Sequence, residues 1–412
     1  MKKSDYKTRQ ELNQAQKNIE QSWHFETRAI LTGQAPDPAT GATVFPIYQT
    51  ATYTQAGIGD NKGYVYSRTG NPTRTATADV LASLENGTRG FIYPSGISAI
   101  HAVLQILKSS TDLHVISTSD LYGGAHRLFT QVLTPLGYEF DFVDSRSVED
   151  LCAQVKENTK LVWLESPTNP LMRLCDIAAI VEAIKKINSK RSAETQILIG
   201  FDNTFASPYL QRPLEFGVDI VVHSGTKYLG GHSDVLIGAI VVKDEELANK
   251  FAYHQNATGS LAGPFDCWIL MKGIKTLAVR MKQHHANSIE IAEWLEKHPK
   301  VKAVYCPALK SNPQYELYKR QMTMYNGMIS FEFAGDLEQV KKLTSATQIF
   351  QLAESLGGVE SLICHPASMT HAAVPPARRQ ELGIYDNLVR LSVGIENVED
   401  LIKDLEQAFA IV

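Results

Sequence analysis

The sequence predicts an α/β protein in which helices cover a mostly parallel central sheet, followed by a smaller α+β domain. Two observations support this prediction. Between residues 66 and 265, short continuous apolar segments alternate with segments of helical periodicity, as in parallel sheets that are buried on both faces. From residue 266 onward, one long helical pattern is followed by segments of alternating polarity, which are typical of half-buried strands.

The individual elements follow from these patterns. In the first region, six strands are predicted at residues 90–93, 114–117, 161–164, 197–199, 220–222 and 236–242. Two helices of that region are predicted at residues 97–107 and 177–187. The second region is predicted to contain helices at 276–298, 336–343 and 398–409 and strands at 301–305 and 328–333. The helix at 276–298 should end before Pro299, because proline cannot continue a helix.

A chain of 412 residues suits two large domains. We expect three parts: an N-terminal arm at residues 1–65, a large domain at 66–265 and a small domain at 266–412. The arm combines a polar start with a proline-containing stretch and would bury little surface alone. It is therefore expected to lie across a neighbouring subunit.

Composition and charge exclude several classes of function. The formal net charge is -4, from 40 basic and 44 acidic residues, and no long block has one sign. This argues against a nucleic-acid-binding or membrane-surface protein. No apolar run approaches the ~18 residues of a transmembrane helix, and residues 1–23 lack the apolar core of a secretory signal. The five scattered cysteines fit a reducing compartment, so a cytoplasmic protein is expected.

Lys227 and Asp202 are the most informative residues of the sequence. Lys227 follows an apolar strand and lies after the hydroxyl residues Ser224 and Thr226 and before two glycines. Asp202 also follows an apolar strand, which favours a buried carboxylate over an ordinary helix cap. A lysine that forms an imine and an aspartate that keeps a pyridine nitrogen protonated are the chemistry of pyridoxal phosphate (PLP). We therefore predict a PLP site.

A phosphate site is predicted beside this lysine. Gly96 and Ile97 lie where a predicted strand meets a helix, and backbone N–H groups at such a helix start bind phosphate well. Taken alone, this segment would more often be a helix cap. Its combination with Ser224 and Thr226 favours a phosphate site. The order Gly-Thr-Lys is the reverse of a P-loop, so nucleotide binding is not supported.

The sequence also contains one candidate metal site. His223, His232 and Asp234 lie close together in the sequence. No third histidine or cysteine has ligand spacing nearby, so no metal site is predicted. A metal-dependent lyase that used these histidines remains the alternative at this point.

Several motifs make the chain resemble a known family. They are YSRTGNPTR at 66–74, ESPTNP at 165–170, the run from 202 to 234, LAESLGGVESL at 352–362 and RLSVGIE at 390–396. With them the chain resembles the Cys/Met-metabolism family of PLP enzymes, the trans-sulfuration enzymes, from about residue 25 to 409. It is similar to cystathionine γ-lyases and to their bacterial relatives that act as β-lyases or γ-synthases. The resemblance implies fold type I of the PLP-dependent transferases, the aspartate aminotransferase-like fold.

The resemblance implies roles at the cofactor. Lys227 is expected to bind PLP as an imine, and Asp202 to pair with the pyridine nitrogen. Tyr122 is expected to stack on the ring and to take part in proton transfer. The residues expected at the phosphate are Gly96, Ile97, Ser224 and Thr226, with Tyr66 and Arg68 reaching the phosphate of the neighbouring subunit. Similar proteins are usually homotetramers built as two active dimers.

The resemblance also implies a substrate site. Arg390 is expected to clamp the α-carboxylate of a sulfur amino acid, because its planar fork matches a carboxylate in two hydrogen bonds. Asn169 and Ser355 are expected to help it. Glu354 and Arg127 are expected near the distal end of cystathionine, where they would meet its ammonium and its carboxylate.

The resemblance leaves the reaction open. Cleavage of L-cystathionine is preferred, with γ-elimination ahead of β-elimination, and a γ-synthase is the alternative. Gly124 stands where methionine γ-lyases carry a cysteine, which disfavours that activity, and Val65 replaces an acidic residue of the cystathionine γ-lyase pattern. An alternative of another class is a PLP-binding regulator without turnover.

Overall fold

Two β-sheets organise the chain in the computed structural model, which describes residues 20, 22–107, 113–372 and 374–412. Most of the polar start of the predicted arm, residues 1–19 and 21, lies outside the described residues. The remainder of the arm begins with one short helix and continues largely without regular structure up to residue 71.

The first sheet has seven strands and lies entirely between residues 66 and 265. Its strands are β1 (Arg89–Tyr93), β2 (Leu113–Thr118), β3 (Tyr138–Val143), β4 (Thr159–Glu165), β5 (Leu198–Asp202), β6 (Ile220–Ser224) and β7 (Gly238–Val242). Their order is β1-β7-β6-β5-β4-β2-β3. Strand β7 is antiparallel to both of its neighbours and the other pairs are parallel, which confirms the mostly parallel sheet.

Both faces of this sheet are buried. Along β6, Val221 belongs to one apolar cluster and Val222 to another, because successive side chains of a strand point to opposite faces. The same alternation separates Val162 from Trp163 in β4. Burial on both faces explains why these strands are continuous apolar runs in the sequence.

Helices lie before, between and after the strands. They are α1 (Phe25–Leu31), α2 (Pro72–Leu84), α3 (Gly96–Leu107), α4 (Gly123–Arg127), α5 (Val148–Ala153), α6 (Ile177–Asn188), α7 (Ser207–Leu210), α8 (Pro213–Phe216), α9 (Glu245–Thr258), α10 (Pro264–Lys275), α11 (Leu277–Lys297), α12 (Tyr315–Gln321), α13 (Leu337–Ala346), α14 (Pro376–Leu382) and α15 (Val398–Ala410). Local signals place their ends. Helix α2, for example, has proline at its first position, and the Asn71 side chain accepts from the N–H groups of Thr73 and Arg74.

The second sheet has five strands and lies beyond residue 266. Its strands are β8 (Val301–Tyr305), β9 (Met328–Phe333), β10 (Gln351–Leu352), β11 (Leu362–Cys364) and β12 (Leu388–Ser392), in the order β10-β11-β12-β9-β8. Helix α15 packs on this sheet, where the ring of Phe409 lies 5.8 Å from that of Phe331. The two sheets fall on either side of the predicted domain boundary at residue 266, although the exact boundary stays a prediction.

The carboxyl ends of the parallel strands carry polar residues. Strands β4, β5 and β6 end at Glu165, Asp202 and Ser224. Ligands of open α/β sheets bind in the crevice outside such strand ends. Among the described residues, no helix combines the length and the apolar character needed to cross a membrane.

Candidate active site

A cavity of about 570 Å³ lies at the carboxyl ends of these strands. Twelve of the residues predicted for the site line it: Gly96, Ile97, Tyr122, Arg127, Asn169, Asp202, Ser224, Thr226, Lys227, Glu354, Ser355 and Arg390. They come from both sheets and from the loops between them. The structure therefore brings together residues that are nearly 300 positions apart in the chain.

Lys227 follows β6 and points into the cavity. Its Nζ donates a hydrogen bond to the Oγ of Ser355 at 2.6 Å. Burial, and after it the nearby guanidinium of Arg390, lowers the pKa of Lys227 to about 8. The neutral form, which a nucleophile or a base requires, is therefore more accessible near physiological pH than in an exposed lysine.

Asp202 ends β5 and is buried, with only 9% of its surface exposed. Its Oδ1 accepts from the N–H of Thr204 at 3.0 Å. Burial raises the pKa of Asp202, although hydrogen bonds from Thr204 act in the opposite direction. A buried carboxylate with so few partners suits a cationic N–H group of a bound ring.

The start of α3 lies against the end of β6. A Cβ atom placed on Gly96 would lie 3.0 Å from the Cβ of Ser224, so glycine permits this close approach. Beside them, the Oγ1 of Thr226 accepts from the N–H of Ile237 at 3.0 Å. Helix-start N–H groups and two hydroxyl side chains thus meet at one end of the cavity, which is the donor set that a phosphate needs.

Arg390 lies on β12 and is 2% exposed. Its Nη1 donates to the Oδ1 of Asn169 at 2.8 Å, and its Nη2 donates to the carbonyl oxygen of Ser355 at 2.9 Å. Ser355 itself has a φ of 92°, a conformation that is rare for residues other than glycine. The guanidinium is thus held from two sides at the wall of the cavity.

Tyr122 immediately precedes α4, and its ring lies over Gly124. A Cβ atom on Gly124 would lie 2.5 Å from Cε1 and 2.9 Å from the hydroxyl oxygen of Tyr122. Burial raises the pKa of the Tyr122 phenol, and the positive charge of Arg127 partly offsets this. The phenol is therefore protonated at neutral pH in this structure.

Tyr66 and Arg68 lie outside the cavity. The ring of Tyr66 is 46% exposed, and the guanidinium carbon of Arg68 lies 5.8 Å from its centroid. Arg68 also donates from Nη1 to the carbonyl oxygen of Asn256 at 2.7 Å. Within one protomer the two residues do not meet the other site residues, and their predicted contact with a neighbouring subunit stays a prediction.

Several lining residues were not assigned a role from the sequence. They are Ser95, Glu165, Thr204, Phe205, Met369 and Thr370. The sequence could have indicated Glu165, because it follows an apolar strand in the same way as Asp202. The loop that contains Met369 carries no comparable local signal.

His223, one of the candidate metal ligands, is hydrogen-bonded to a buried carboxyl group. Its Nε2 lies 2.5 Å from Oε1 of Glu85, and both side chains are almost completely buried. The N–H group of the Asn203 side chain also donates to that carboxylate, at 2.9 Å. Within the described part of the chain, no group of three or more histidine, cysteine, aspartate or glutamate residues is placed to hold a metal ion.

Comparison with known proteins shows the family to which the chain belongs. The family model described as "Cys/Met metabolism PLP-dependent enzyme" matches residues 26–410. The chain belongs to this family. The predicted resemblance is thereby confirmed, and so is PLP as the cofactor.

The chain is similar to members of the Cys/Met-metabolism family that are named for different reactions. The cystathionine β-lyase of Coxiella burnetii is 49% identical, over 93% of this chain and 97% of that protein. The cystathionine γ-synthase of Mycobacterium tuberculosis is 45% identical, over 93% and 96%. The crystal structure of cystathionine γ-lyase from Lactobacillus plantarum complexed with L-serine is 45% identical and has a TM-score of 0.89, covering 94% of this chain and 99% of that one. This agreement confirms the predicted fold type I.

The residues of the cavity fit the family's cofactor. The close approach at Gly96 leaves helix-start N–H groups beside Ser224 and Thr226, which suits a phosphate. Asp202 offers a buried acceptor for a pyridine N–H, and Lys227 offers an amine whose pKa is lowered to about 8. The donor set of this chain therefore matches PLP at its phosphate, its ring nitrogen and its aldehyde.

Proposed function

We propose that this chain cleaves a carbon–sulfur bond of L-cystathionine, with γ-elimination to cysteine, 2-oxobutyrate and ammonia ahead of β-elimination to homocysteine, pyruvate and ammonia. The observation that carries the proposal is the meeting of Lys227, Asp202 and Arg390 in one cavity that also contains Glu354 and Arg127. The family supplies the chemistry, and these residues supply the binding and the proton transfer.

The cofactor is assigned to the residues already described. Gly96, Ile97, Ser224 and Thr226 would hold its phosphate, Asp202 its ring nitrogen and Tyr122 the face of its ring. When bound, PLP supplies an electron sink that stabilises negative charge on the substrate carbon. A carboxylate at the ring nitrogen strengthens that sink, because it favours the protonated ring.

Arg390 is assigned to the α-carboxylate of the substrate. Asn169 and the carbonyl oxygen of Ser355 fix two of its nitrogens, so the planar fork has little freedom to rotate. A preorganised bidentate donor binds a carboxylate more strongly and in one orientation. The α-carbon of the substrate would then face the same side of the cavity as Lys227.

Lys227 is assigned the proton transfers. Its hydrogen-bond partner is the neutral hydroxyl of Ser355. The carboxylate of Glu354 favours the charged form of Lys227, but burial and the charge of Arg390 outweigh it. As a neutral amine it can accept a proton from Cα. For γ-elimination it must also move a proton at Cβ, and a lysine that forms no ion pair within the described part of the chain supports that second transfer.

Glu354 and Arg127 are assigned to the distal end of the substrate. Both line the cavity that contains Lys227, and they carry opposite charges. Cystathionine carries a second ammonium and a second carboxylate beyond its sulfur. The two side chains therefore complement the distal group, which a short amino acid would lack.

Product analysis tests the reaction. Purified protein is mixed with L-cystathionine alone, and the products are identified. Cysteine with 2-oxobutyrate is the expected result. Homocysteine with pyruvate would mean that the reaction is β-elimination, as the name of the relative from Coxiella burnetii indicates for that protein. No cleavage, together with condensation of an O-acyl-homoserine with cysteine, would make the chain a γ-synthase. A protein that binds PLP and is inert in every assay would be a regulator.

The site is proposed to function in a homotetramer of two active dimers, in the cytoplasm. The exposure of Tyr66 and the position of Arg68 outside the cavity support a role across a subunit boundary. Mixing of two inactive variants tests it: Lys227→Ala and Arg68→Ala subunits should regain activity together, because one mixed site is intact. No recovery in a mixed oligomer would contradict the shared site.

A further inference from the structure

Glu165 is a buried carboxylate of the cavity that has no part in the proposed reaction. It ends β4 and lies directly opposite Asp202 in the parallel pairing of β4 with β5. It is 4% exposed and lines the cavity. Two carboxylates at neighbouring strand ends repel each other. A neutral glutamine at residue 165 would therefore be expected to destabilise the folded protein less than glutamate does.

The partners of Glu165 are backbone groups of two site residues. Its Oε2 accepts from the N–H of Tyr122 at 2.9 Å. The backbone N–H of Asn169 also favours the charged form of this carboxylate. Burial, and then the charge of Asp202, raises the pKa of Glu165 well above its usual range, while these two N–H groups lower it. The groups that favour its charged form are thus the backbones of Tyr122 and Asn169.

The two residues that Glu165 holds lie on different walls of the cavity. Tyr122 lies beside α4, where its ring covers Gly124. Asn169 lies in the loop after β4, where its side chain accepts from Arg390. One carboxylate therefore connects the aromatic wall to the residue that orients the arginine.

We propose that Glu165 is a positioning residue that fixes the backbones of Tyr122 and Asn169 and thereby sets the distance between the cofactor-stacking wall and the substrate-carboxylate site. This inference rests on the roles proposed above for those two residues. Glu165 acts through them and does not touch the reacting atoms. Loss of its carboxylate would loosen both walls together, whereas loss of either partner would loosen one.

Two variants test this role. Glu165→Gln keeps the shape but places an amide NH2 group against one of the two N–H donors. Glu165→Asp keeps the charge but shortens the side chain, so that it cannot hold both donors. Each variant is compared with Glu139→Gln, which removes an exposed carboxylate from β3, outside the cavity.

The expected result has one part that needs no substrate. In both Glu165 variants the circular-dichroism band of bound PLP should weaken, because the stacking ring is no longer fixed, and PLP should bind about tenfold more weakly. For L-cystathionine, KM should rise about tenfold and kcat should fall less. The thermal midpoint of Glu165→Gln should stay near that of the wild type, since relief of the repulsion from Asp202 offsets the lost hydrogen bond.

The opposite result would overturn the inference. If the cofactor band, PLP affinity and KM of both variants match those of Glu139→Gln, Glu165 does not position the site. The same conclusion follows if only the thermal midpoint of the variants falls. The proposed function is judged separately, by whether the wild type cleaves cystathionine. If the wild type does not cleave cystathionine but the cofactor bands of both variants are altered, the proposed reaction is wrong and the positioning role of Glu165 still stands.

Discussion

The Nζ of Lys227 donates to the hydroxyl of Ser355 at 2.6 Å, and the carbonyl oxygen of the same serine accepts from Arg390 at 2.9 Å. One residue therefore joins the proposed base to the proposed carboxylate clamp. Its φ of 92° would cost roughly 1–3 kcal/mol for a residue other than glycine. Contacts on both sides hold it there, so a change at Ser355 should affect both the proposed base and the proposed carboxylate clamp.

Substitution of Ser355 separates its hydroxyl from its backbone. Ser355→Ala should lower kcat/KM about tenfold, because the amine of Lys227 loses its hydrogen bond. Ser355→Gly loses the same hydroxyl but relieves the strained φ, so it should be about 1 kcal/mol more stable than the alanine variant. Steady-state kinetics and denaturant unfolding measure both effects. Equal stability of the two variants would mean that the backbone conformation carries no strain.

Loss of the lysine should abolish turnover. Lys227→Ala removes the amine on which both cofactor binding and proton transfer depend. The control is Lys250→Ala, which removes a lysine that pairs with Glu246 on the surface of α9. Activity is measured before and after treatment with a chelator. Full activity of Lys227→Ala, lost on chelation, would instead support the metal-dependent lyase considered from the sequence.

The stability of the PLP-free protein should depend on Lys227. Burial lowers the pKa of Lys227 to about 8 from its usual value of 10.5, so above pH 8 the folded state binds fewer protons than the unfolded state. The free energy of unfolding should therefore rise between pH 8 and pH 10.5. Lys227→Met should remove this rise and stabilise the protein at pH 7 by at most about 3 kcal/mol. Denaturant unfolding at several pH values checks this, and parallel curves for both proteins would contradict it.

Gly124 should be required for the position of Tyr122. A methyl group at Gly124 would overlap the phenol ring, so Gly124→Ala must displace that ring or the start of α4. We expect kcat to fall at least about tenfold and the absorption of bound PLP to change, because the stacking ring moves. Gly57→Ala is the matched control, since a Cβ atom there would meet nothing within 4 Å. Unchanged kinetics of Gly124→Ala would show that Tyr122 has no positional role.

How much of the site the sequence predicts depends on where each residue lies. Asp202 and Lys227 follow apolar strands, so local patterns alone identified them. Arg390 was placed only through the family resemblance, because the five-residue strand β12 has no distinctive signal of its own. The pair between Glu85 and His223 spans 138 positions, and no local pattern indicates such a contact.

The same reasoning explains what the sequence left open in the fold. The six predicted strands of the first sheet are all present, because strands buried on both faces are continuous apolar runs. Strand β3 was missed: its apolar residues alternate with Glu139 and Asp141, as expected for an edge strand that is only partly buried. The antiparallel direction of β7 depends on how the chain returns to the sheet, which periodicity does not encode.

Glu354 should determine the preference for a long substrate. Its carboxylate is assigned to the distal ammonium of cystathionine, and a short substrate such as S-methyl-L-cysteine has no such group. Glu354→Gln should therefore raise KM for L-cystathionine about tenfold while kcat/KM for the short substrate changes little. Arg127→Gln should behave in the same way through the distal carboxylate, whereas Arg146→Gln, a substitution on the surface, should change neither. If Glu354→Gln weakens both substrates equally, its charge acts on Lys227 or Arg390 and not on the distal group.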